Sequence, residues 1–296
     1  MQLHENERIN AEDHKGHIAR PVHDGLSFIQ QTPALNLLPG VRTRLEKAAA
    51  DNGFDLALTF DGGWLAFAST HAPLRVWLSA VGDTVFLAAM SRPDVLDHLS
   101  DHGTAFTRPM PPGACGARGV TDHALLHRLL RRAFQLSRTL PDQLLTAFQE
   151  QTSGMPRCTE AERLIVQRVG QEVYRKGLLD YWDHRCAVTG LAVPELLRAS
   201  HIKAWADCET DAERLDVFNG LLLAPNLDAA FDLRFITVAD DGAVVVSALL
   251  DGVAREQLGL VGSMRVRRLT EGHRRYLIWH RARFRASASD TPSPLA

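Results

Sequence analysis

Residues 41–150 switch between helical and strand-like patterns of apolar positions. The stretch VRTRLEKAAADNG predicts a helix that Gly53 ends. FDLALTF and WLAFAST, joined by an Asp-Gly-Gly turn, predict an antiparallel pair of strands, and LRVWLSA and TVFLAAM predict a second pair around a Gly-Asp turn. We therefore expect an α+β domain with antiparallel strands.

The remainder of this region is predicted to contain a short helix at 93–99, a loop at 108–119, and two amphipathic helices between Asp122 and Glu150 that Pro141 separates. The spaced glycines of the loop lack the Lys-Ser/Thr pair of a phosphate loop. This absence argues against nucleotide binding there.

The C-terminal region opens with the tetrapeptide TEAE, which begins at Thr159 and predicts a capping box. The helix that follows is expected to run to about Trp182. Ile165, Val169 and Val173 fall on one face of it.

Two strand-like stretches, LLRASHI and NGLLL, and the short helical stretch PNLDAAFD predict a ββα unit. On its helix, Asp228 and Asp232 share one face, and Leu227 and Phe231 share another that can face the core. Two like charges one turn apart repel each other. A cation between the two carboxylates would reverse the sign of that interaction.

These patterns predict an α+β chain of four segments. The segments are a loop-rich N-terminal segment at 1–40, an accessory α+β domain at 41–150, a second domain at 159–286 and a flexible tail at 287–296.

Composition then excludes several classes of protein. The chain has 296 residues, 45% of them hydrophobic, and a net charge of −2, so any nucleic-acid binding must come from a local patch. No apolar run approaches the roughly 20 residues of a membrane helix, and the polar N-terminus does not look like a secretory signal. We therefore expect a cytoplasmic protein that does not contact a membrane.

None of its four cysteines lies in a CxxC pair, so we expect no structural zinc.

Two groups of basic residues are candidates for such a patch. From Arg265 to Arg285 there are eight arginines and one acid, Glu271, with aromatic residues between them. Arg168 and Arg175 share a face of the helix that begins after Thr159. Two interpretations stay open for both groups, phosphate contact and ordinary solvated surface charge.

Four short motifs follow one another in the C-terminal region: CAVTG from Cys186, ASHI from Ala199, NGLLL from Asn219 and LDAAFD from Leu227. On these motifs the chain resembles the HNH endonuclease superfamily over about residues 159 to 250. The resemblance implies a ββα-metal, treble-clef-like nuclease fold for this domain.

The resemblance also implies roles for individual residues. His201 falls at the position of the general base, and Asn219 at the residue that holds the long loop and thereby the base. Asp228 and Asp232 fall at metal-ligand positions. Ser200 stands where relatives often carry a third ligand, so water or the substrate phosphate would have to complete the coordination shell.

The chemistry of these residue types agrees with that assignment. A neutral imidazole can take a proton from water near neutral pH. Two carboxylates without a histidine ligand favour Mg²⁺ or Mn²⁺ over zinc, with one ion per active site.

The function that follows is a metal-dependent DNA endonuclease of the bacterial restriction or defence kind, whose N-terminal domain selects a target or a partner. Arg198, Lys203 and Arg234 are candidate phosphate contacts, and solvated surface charge is the equal alternative for each. Two other functions stay open, a ββα module that holds DNA without cutting it and a nuclease toxin with an immunity partner. One ββα site cuts one strand at a time, so a double-strand break would suggest a homodimer.

Overall fold

The computed structural model describes residues 36–107, 109–140, 142–156 and 158–284. The first 35 residues of the predicted N-terminal segment 1–40 and the whole predicted tail 287–296 lie outside this description. The described residues form a mixed structure of helices and antiparallel sheets, which confirms the α+β class. No helix in the described part of the chain is both long enough and apolar enough to cross a membrane.

The N-terminal region is built on one antiparallel sheet. Its elements are α1 (Pro39–Asp51), β1 (Leu56–Asp61), β2 (Trp64–Ala68), β3 (Val76–Val81), β4 (Val85–Met90), α2 (Pro93–Asp97), β5 (Thr104–Phe106), β6 (Gly116–Val120), α3 (His123–Ser137) and α4 (Gln143–Thr152). The six strands lie in the order β1-β2-β3-β4-β6-β5. Both predicted strand pairs and the predicted helices are confirmed.

Gly53 ends the first helical segment, as its sequence position predicts. Its φ of 88° lies in the left-handed region that favours glycine. A Cβ at this position would meet the ring of Phe134 at 2.6 Å, so the close approach of α3 also requires glycine.

The prediction of a loop over residues 108–119 is wrong at its end, because β6 begins at Gly116. The sequence of β6, GARGV, has no strand-like alternation of apolar residues. Its backbone instead pairs with β4, from Met90↔Gly116 to Phe86↔Val120. Pairing with a neighbouring strand, which a local pattern does not contain, therefore creates this strand.

The C-terminal region begins with a long helix. Its elements are α5 (Glu160–Tyr181), β7 (Arg198–His201), α6 (Asp211–Arg214), β8 (Gly220–Leu223), α7 (Pro225–Asp232), β9 (Ile236–Val238), β10 (Val244–Val246), α8 (Gly252–Gln257) and α9 (Glu271–Arg281). The capping box of α5 is confirmed, since Thr159 and Glu162 exchange side-chain-to-backbone hydrogen bonds. The apolar face predicted for α5 is wrong at Ile165. The side chain of Ile165 is 54% exposed, and Val166 is buried in the core instead.

One hydrophobic core runs through both regions. Where α4 packs against α5, the side chain of Leu144 fills the space beside Gly177 and leaves no room for a Cβ there. The guanidinium of Arg132 in α3 donates to the carbonyl of Tyr181 at the end of α5. The core thus crosses the predicted boundary between 150 and 159, and the division of the chain into two domains stays a prediction.

Candidate active site

The strands β7 and β8 and the helix α7 form the predicted ββα unit. β7 pairs antiparallel with β8, and the last pair is His201↔Gly220. α7 packs against β7 and buries Leu227 and Phe231 on its core-facing side. Its two aspartates, one helical turn apart, are left on another face.

Asn219 holds the loop that connects β7 to β8. Its side chain is completely buried. The Oδ1 atom accepts from the backbone N–H of Lys203 at 2.8 Å, and the Nδ2 atom donates to the carbonyls of Lys203 and Glu213, each at 3.1 Å. One amide group therefore ties together both ends of the loop segment 203–213.

The end of the same loop orients His201. Its Nε2 atom lies 2.9 Å from the carbonyl oxygen of Arg214. A carbonyl can only accept, so the hydrogen of the neutral ring belongs on Nε2. The Nδ1 atom bonds to none of the described residues, which leaves its lone pair free to take a proton.

Aromatic rings enclose the imidazole of His201. The ring of Tyr174 in α5 is stacked on it, with centroids 3.9 Å apart, and Trp205 meets it edge-on at 5.5 Å. This burial lowers the pKa of His201 to about 4, and the hydrogen bond to Arg214 opposes the shift. The ring is therefore in its proton-accepting form throughout the neutral range.

His280 differs from His201 in how its ring nitrogens are bonded. His280 stacks on Phe231 with centroids 3.9 Å apart, and burial likewise lowers its pKa to about 4. Its Nε2 atom donates to the carbonyl of Phe231 at 3.0 Å, and its Nδ1 atom accepts from the hydroxyl of Thr237 at 2.9 Å. Both nitrogens of His280 are thus engaged, whereas His201 keeps one free, as a proton acceptor must.

Asp228 and Asp232 lie in surroundings that disfavour their charged forms. Burial raises the pKa of Asp228, and the Ser200 hydroxyl and the charge of Arg198 oppose that shift. Loss of hydration and the charge of Asp228 raise the pKa of Asp232, and Arg234 opposes it. A bound cation would reverse both effects, since it favours ionised carboxylates.

The donor set at this face fits a hard divalent cation with few protein ligands. Ser200 is 2% exposed, and its buried hydroxyl lies beside Asp228 without a well-aligned hydrogen bond to any described residue. Among the described residues, no group of three or more His, Cys, Asp or Glu side chains is arranged to hold a metal ion. Two carboxylates suit Mg²⁺ or Mn²⁺, and water or substrate phosphate would fill the other positions.

Ser200 and His201 leave β7 on opposite faces, as neighbouring residues of a strand do. Ser200 faces Asp228 of α7, and His201 faces Tyr174 of α5. In the described structure β7 has a strand partner, β8, along one edge only.

Residues 186–239, which include the whole ββα unit, match the family model of the HNH endonucleases. The C-terminal part of the chain contains an HNH domain. No curated protein matches the chain.

Some of the predicted phosphate contacts of the HNH domain are already engaged within the protein. Lys203 forms an ion pair with Glu213 at 3.0 Å. Arg175 donates to two carbonyls of the segment 194–197, at 2.6 and 2.8 Å. Each would have to give up these bonds to reach a phosphate.

The other predicted contacts are more accessible. Arg234 lies over the ring of Trp279, 5.8 Å from its centroid. Arg168 and Arg198 are exposed, and Arg198 is close enough to influence the pKa of Asp228. Arg198 and Arg234 are therefore the predicted contacts whose charges reach the carboxylates, Arg198 at Asp228 and Arg234 at Asp232.

The arginine-rich C-terminal stretch is largely neutralised by acids. Ion pairs join Arg265 to Asp241, Arg274 to Glu271, Arg275 to Asp216 and Arg281 to Asp240. Arg283 lies 3.9 Å from the ring centroid of Trp279, and Arg285 lies outside the described residues. Five of the eight arginines of this stretch thus have partners within the protein, and both interpretations of the stretch stay open.

Sequence reasoning missed Tyr174, which contacts His201 more closely than Trp205 does. It precedes the segment that matches the HNH family. It also occupies an ordinary buried position of α5, so no local signal marks it.

Proposed function

We propose that the protein is a metal-dependent DNA endonuclease of HNH type, which hydrolyses phosphodiester bonds. The observation that carries this proposal is the state of His201 in an HNH domain. Its Nε2 atom is held by a backbone carbonyl, and its Nδ1 atom is free.

In this proposal, Nδ1 of His201 accepts a proton from the water that attacks the phosphorus atom. A pKa of about 4 keeps the ring ready to accept, but it also makes the ring a weak base. The approach of a negatively charged phosphate raises the proton affinity of the imidazole, since a nearby negative charge favours the protonated form. Asn219 contributes by fixing the loop whose end carries the carbonyl of Arg214.

Asp228 and Asp232 would hold the Mg²⁺ or Mn²⁺ ion, with Ser200 beside them. When bound, such an ion neutralises charge on the phosphate and stabilises the departing oxygen. Arg198 and Arg168 are the exposed candidates for contacts with the DNA backbone.

The proposal extends to a bacterial restriction or defence role, in which the N-terminal region selects the target. A double-strand break would require either two such sites in a homodimer or two successive nicks by one site. The extension rests on the presence of a substantial α+β region beside the HNH domain.

Cleavage of plasmid DNA by the full chain tests the proposal. We expect nicked or linear product with Mg²⁺ or Mn²⁺, none with a chelator, and at least a roughly 100-fold slower reaction for His201→Gln. His280→Gln is the matched control, because it removes another buried, stacked imidazole that has no free nitrogen.

Binding of DNA without cleavage under all metal conditions would favour the alternative of a non-cleaving module. Equal losses of cleavage in the two variants, at equal folded fractions, would show that His201 acts only through the fold. The toxin alternative also requires an immunity protein that inhibits the nuclease, and a neighbouring gene should encode it.

A further inference from the structure

A cavity of about 450 Å³ lies between the N-terminal region and the HNH domain. Its walls come from the segment that follows α2, from α3, from the end of α5, from Phe218 before β8, and from the segment around the start of α9. None of the residues assigned above to catalysis or to metal binding lines it. The cavity is therefore a site separate from the proposed active site.

A buried cation forms one wall of this cavity. Arg132 is 5% exposed, donates to the carbonyl of Tyr181, and lies over the ring of that residue. Burial and then the charge of Arg268 lower the pKa of Arg132 to about 10. Arg132 forms no ion pair with any acid of the described residues, although a buried charge is costly without a counter-charge. The charge of Asp183 opposes the shift of the Arg132 pKa without reversing it.

Two further groups bring positive charge or hydrogen-bonding capacity to the same cavity. Arg268 lines it as an exposed residue. His102 lines it as well, and its buried Nδ1 atom has no partner among the described residues. Burial lowers the pKa of His102, the charges of Arg268 and Arg132 add to the shift, and those of Asp101 and Asp183 oppose it.

The acids of the cavity lie at its mouth. Asp97 and Asp101 are exposed. Glu271 has an 85% exposed side chain and pairs with Arg274 at 2.8 Å. Arg132 is therefore the one buried charge among the described residues that line the cavity, whereas its three acids and Arg268 are exposed.

We propose that this cavity binds the phosphate group of a small phosphorylated molecule, with Arg132 and Arg268 as its charged contacts. Guanidinium groups suit phosphate because they donate parallel, charge-assisted hydrogen bonds. The volume is in the range of small-molecule sites and can accept a ligand of mononucleotide size. This site goes beyond the proposed nuclease function, and neither depends on the other.

Isothermal titration calorimetry on the full chain tests the site with three probes, inorganic phosphate, adenosine 5′-monophosphate and adenosine. We expect the two phosphate probes to bind and adenosine to bind at least about tenfold more weakly than the monophosphate, the factor that one charged hydrogen-bonding contact provides. Equal binding of adenosine and adenosine 5′-monophosphate, or no binding of either phosphate probe, overturns the proposal.

Two neighbouring arginines provide matched variants. Arg268→Gln removes a charge from the cavity wall and should weaken phosphate binding at least about tenfold. Arg267→Gln removes an equally exposed charge that lies beside Gly190 instead, and should leave binding unchanged. Arg132 is left intact because its bond to Tyr181 supports the junction of α3 and α5. Equal effects of the two variants would show non-specific attraction and overturn the site.

The phosphate could belong to a small molecule or to the backbone of DNA, and a short DNA duplex without terminal phosphates distinguishes the two. We expect it not to displace adenosine 5′-monophosphate. Displacement that Arg268→Gln abolishes would assign the contact to the DNA backbone, and would overturn the assignment to a small molecule.

Discussion

Tyr174 lies flat against His201, with their ring centroids 3.9 Å apart and an angle of 18° between the planes. The Tyr174 hydroxyl also donates to the backbone carbonyl of Asn219 at 2.9 Å. One side chain of α5 therefore contacts both the proposed base and the residue that holds the loop. This contact explains how a helix that precedes the matched HNH segment takes part in building the site.

Replacement of Tyr174 separates the role of its ring from that of its hydroxyl. We expect Tyr174→Phe to lower the free energy of unfolding by about 1 kcal/mol, because one hydrogen bond is lost and the stacked ring remains. Tyr174→Ala should lower it by about 3–5 kcal/mol through the cavity that it leaves. Urea denaturation measures both changes.

The two Tyr174 variants also differ in the pH dependence of cleavage. Without the ring, His201 is better hydrated and its pKa rises, so acid should stop cleavage at a higher pH in Tyr174→Ala than in Tyr174→Phe. Identical pH profiles for the folded variants would mean that Tyr174 does not set the environment of the base.

Asn219→Asp tests the amide that holds the loop. The change keeps the shape of the side chain but turns an oxygen, in place of the N–H donor, towards the carbonyls of Lys203 and Glu213. We expect a loss of about 2–4 kcal/mol in the free energy of unfolding, since buried groups lose their partners. Hydrogen exchange should become faster in the segment 203–213.

Asn226→Asp is the control for that measurement. Asn226 is exposed and donates from Nδ2 to the carbonyl of Leu258, so it undergoes the same chemical change at the surface. We expect Asn226→Asp to leave hydrogen exchange in the segment 203–213 nearly unchanged. Equal exchange of the loop in both variants would contradict the role assigned to Asn219.

Asp228→Asn and Asp232→Asn should weaken metal binding without lowering the stability of the metal-free protein. The raised pKa of each carboxyl means that its ionised form is disfavoured in the folded state, so a neutral amide should leave the metal-free protein at least as stable. The same changes should weaken Mn²⁺ binding and cleavage. Thermal unfolding with and without Mn²⁺ measures both effects.

Glu256→Gln is the matched control for the metal, because it removes one exposed carboxylate from α8. We expect it to leave the Mn²⁺-induced rise in unfolding temperature intact. An intact rise in both aspartate variants would show that the ion is held elsewhere.

The stability of the fold should fall on mild acidification because of three histidines, of which His273 and His280 are buried and His201 is partly buried. Burial lowers the pKa of His201 and His280 to about 4 and that of His273 to about 3, from 6.5 in the unfolded chain. The stability that these groups contribute is fully present above 6.5 and is lost as the pH falls from there towards 4, because the unfolded state then binds more protons.

Urea denaturation at about pH 7.5 and 5.5 checks this dependence, since most carboxyl groups stay ionised over that range. His280→Gln should reduce the slope of stability against pH. A free energy of unfolding that is the same at both pH values would rule out the proposed histidine states.

Local patterns predicted much of the architecture. The capping box at Thr159, the turn at Gly53 and both predicted strand pairs depend on residues close together in the chain, and each is present. The strand at Gly116–Val120 was missed, because it forms through pairing with β4 and carries no strand-like pattern of its own.

The sequence by itself determined the ββα unit, the spacing of Asp228 and Asp232 on one face of α7, and the resemblance to the HNH family. These features depend on the helix period and on short motifs, which are local. Only the tertiary structure decided that Tyr174 stacks on His201, that the carbonyl of Arg214 selects its tautomer, and that Glu213 pairs with Lys203. Those contacts join α5, β7 and the connecting loop, and packing of the whole chain brings them together because no periodic pattern links their positions.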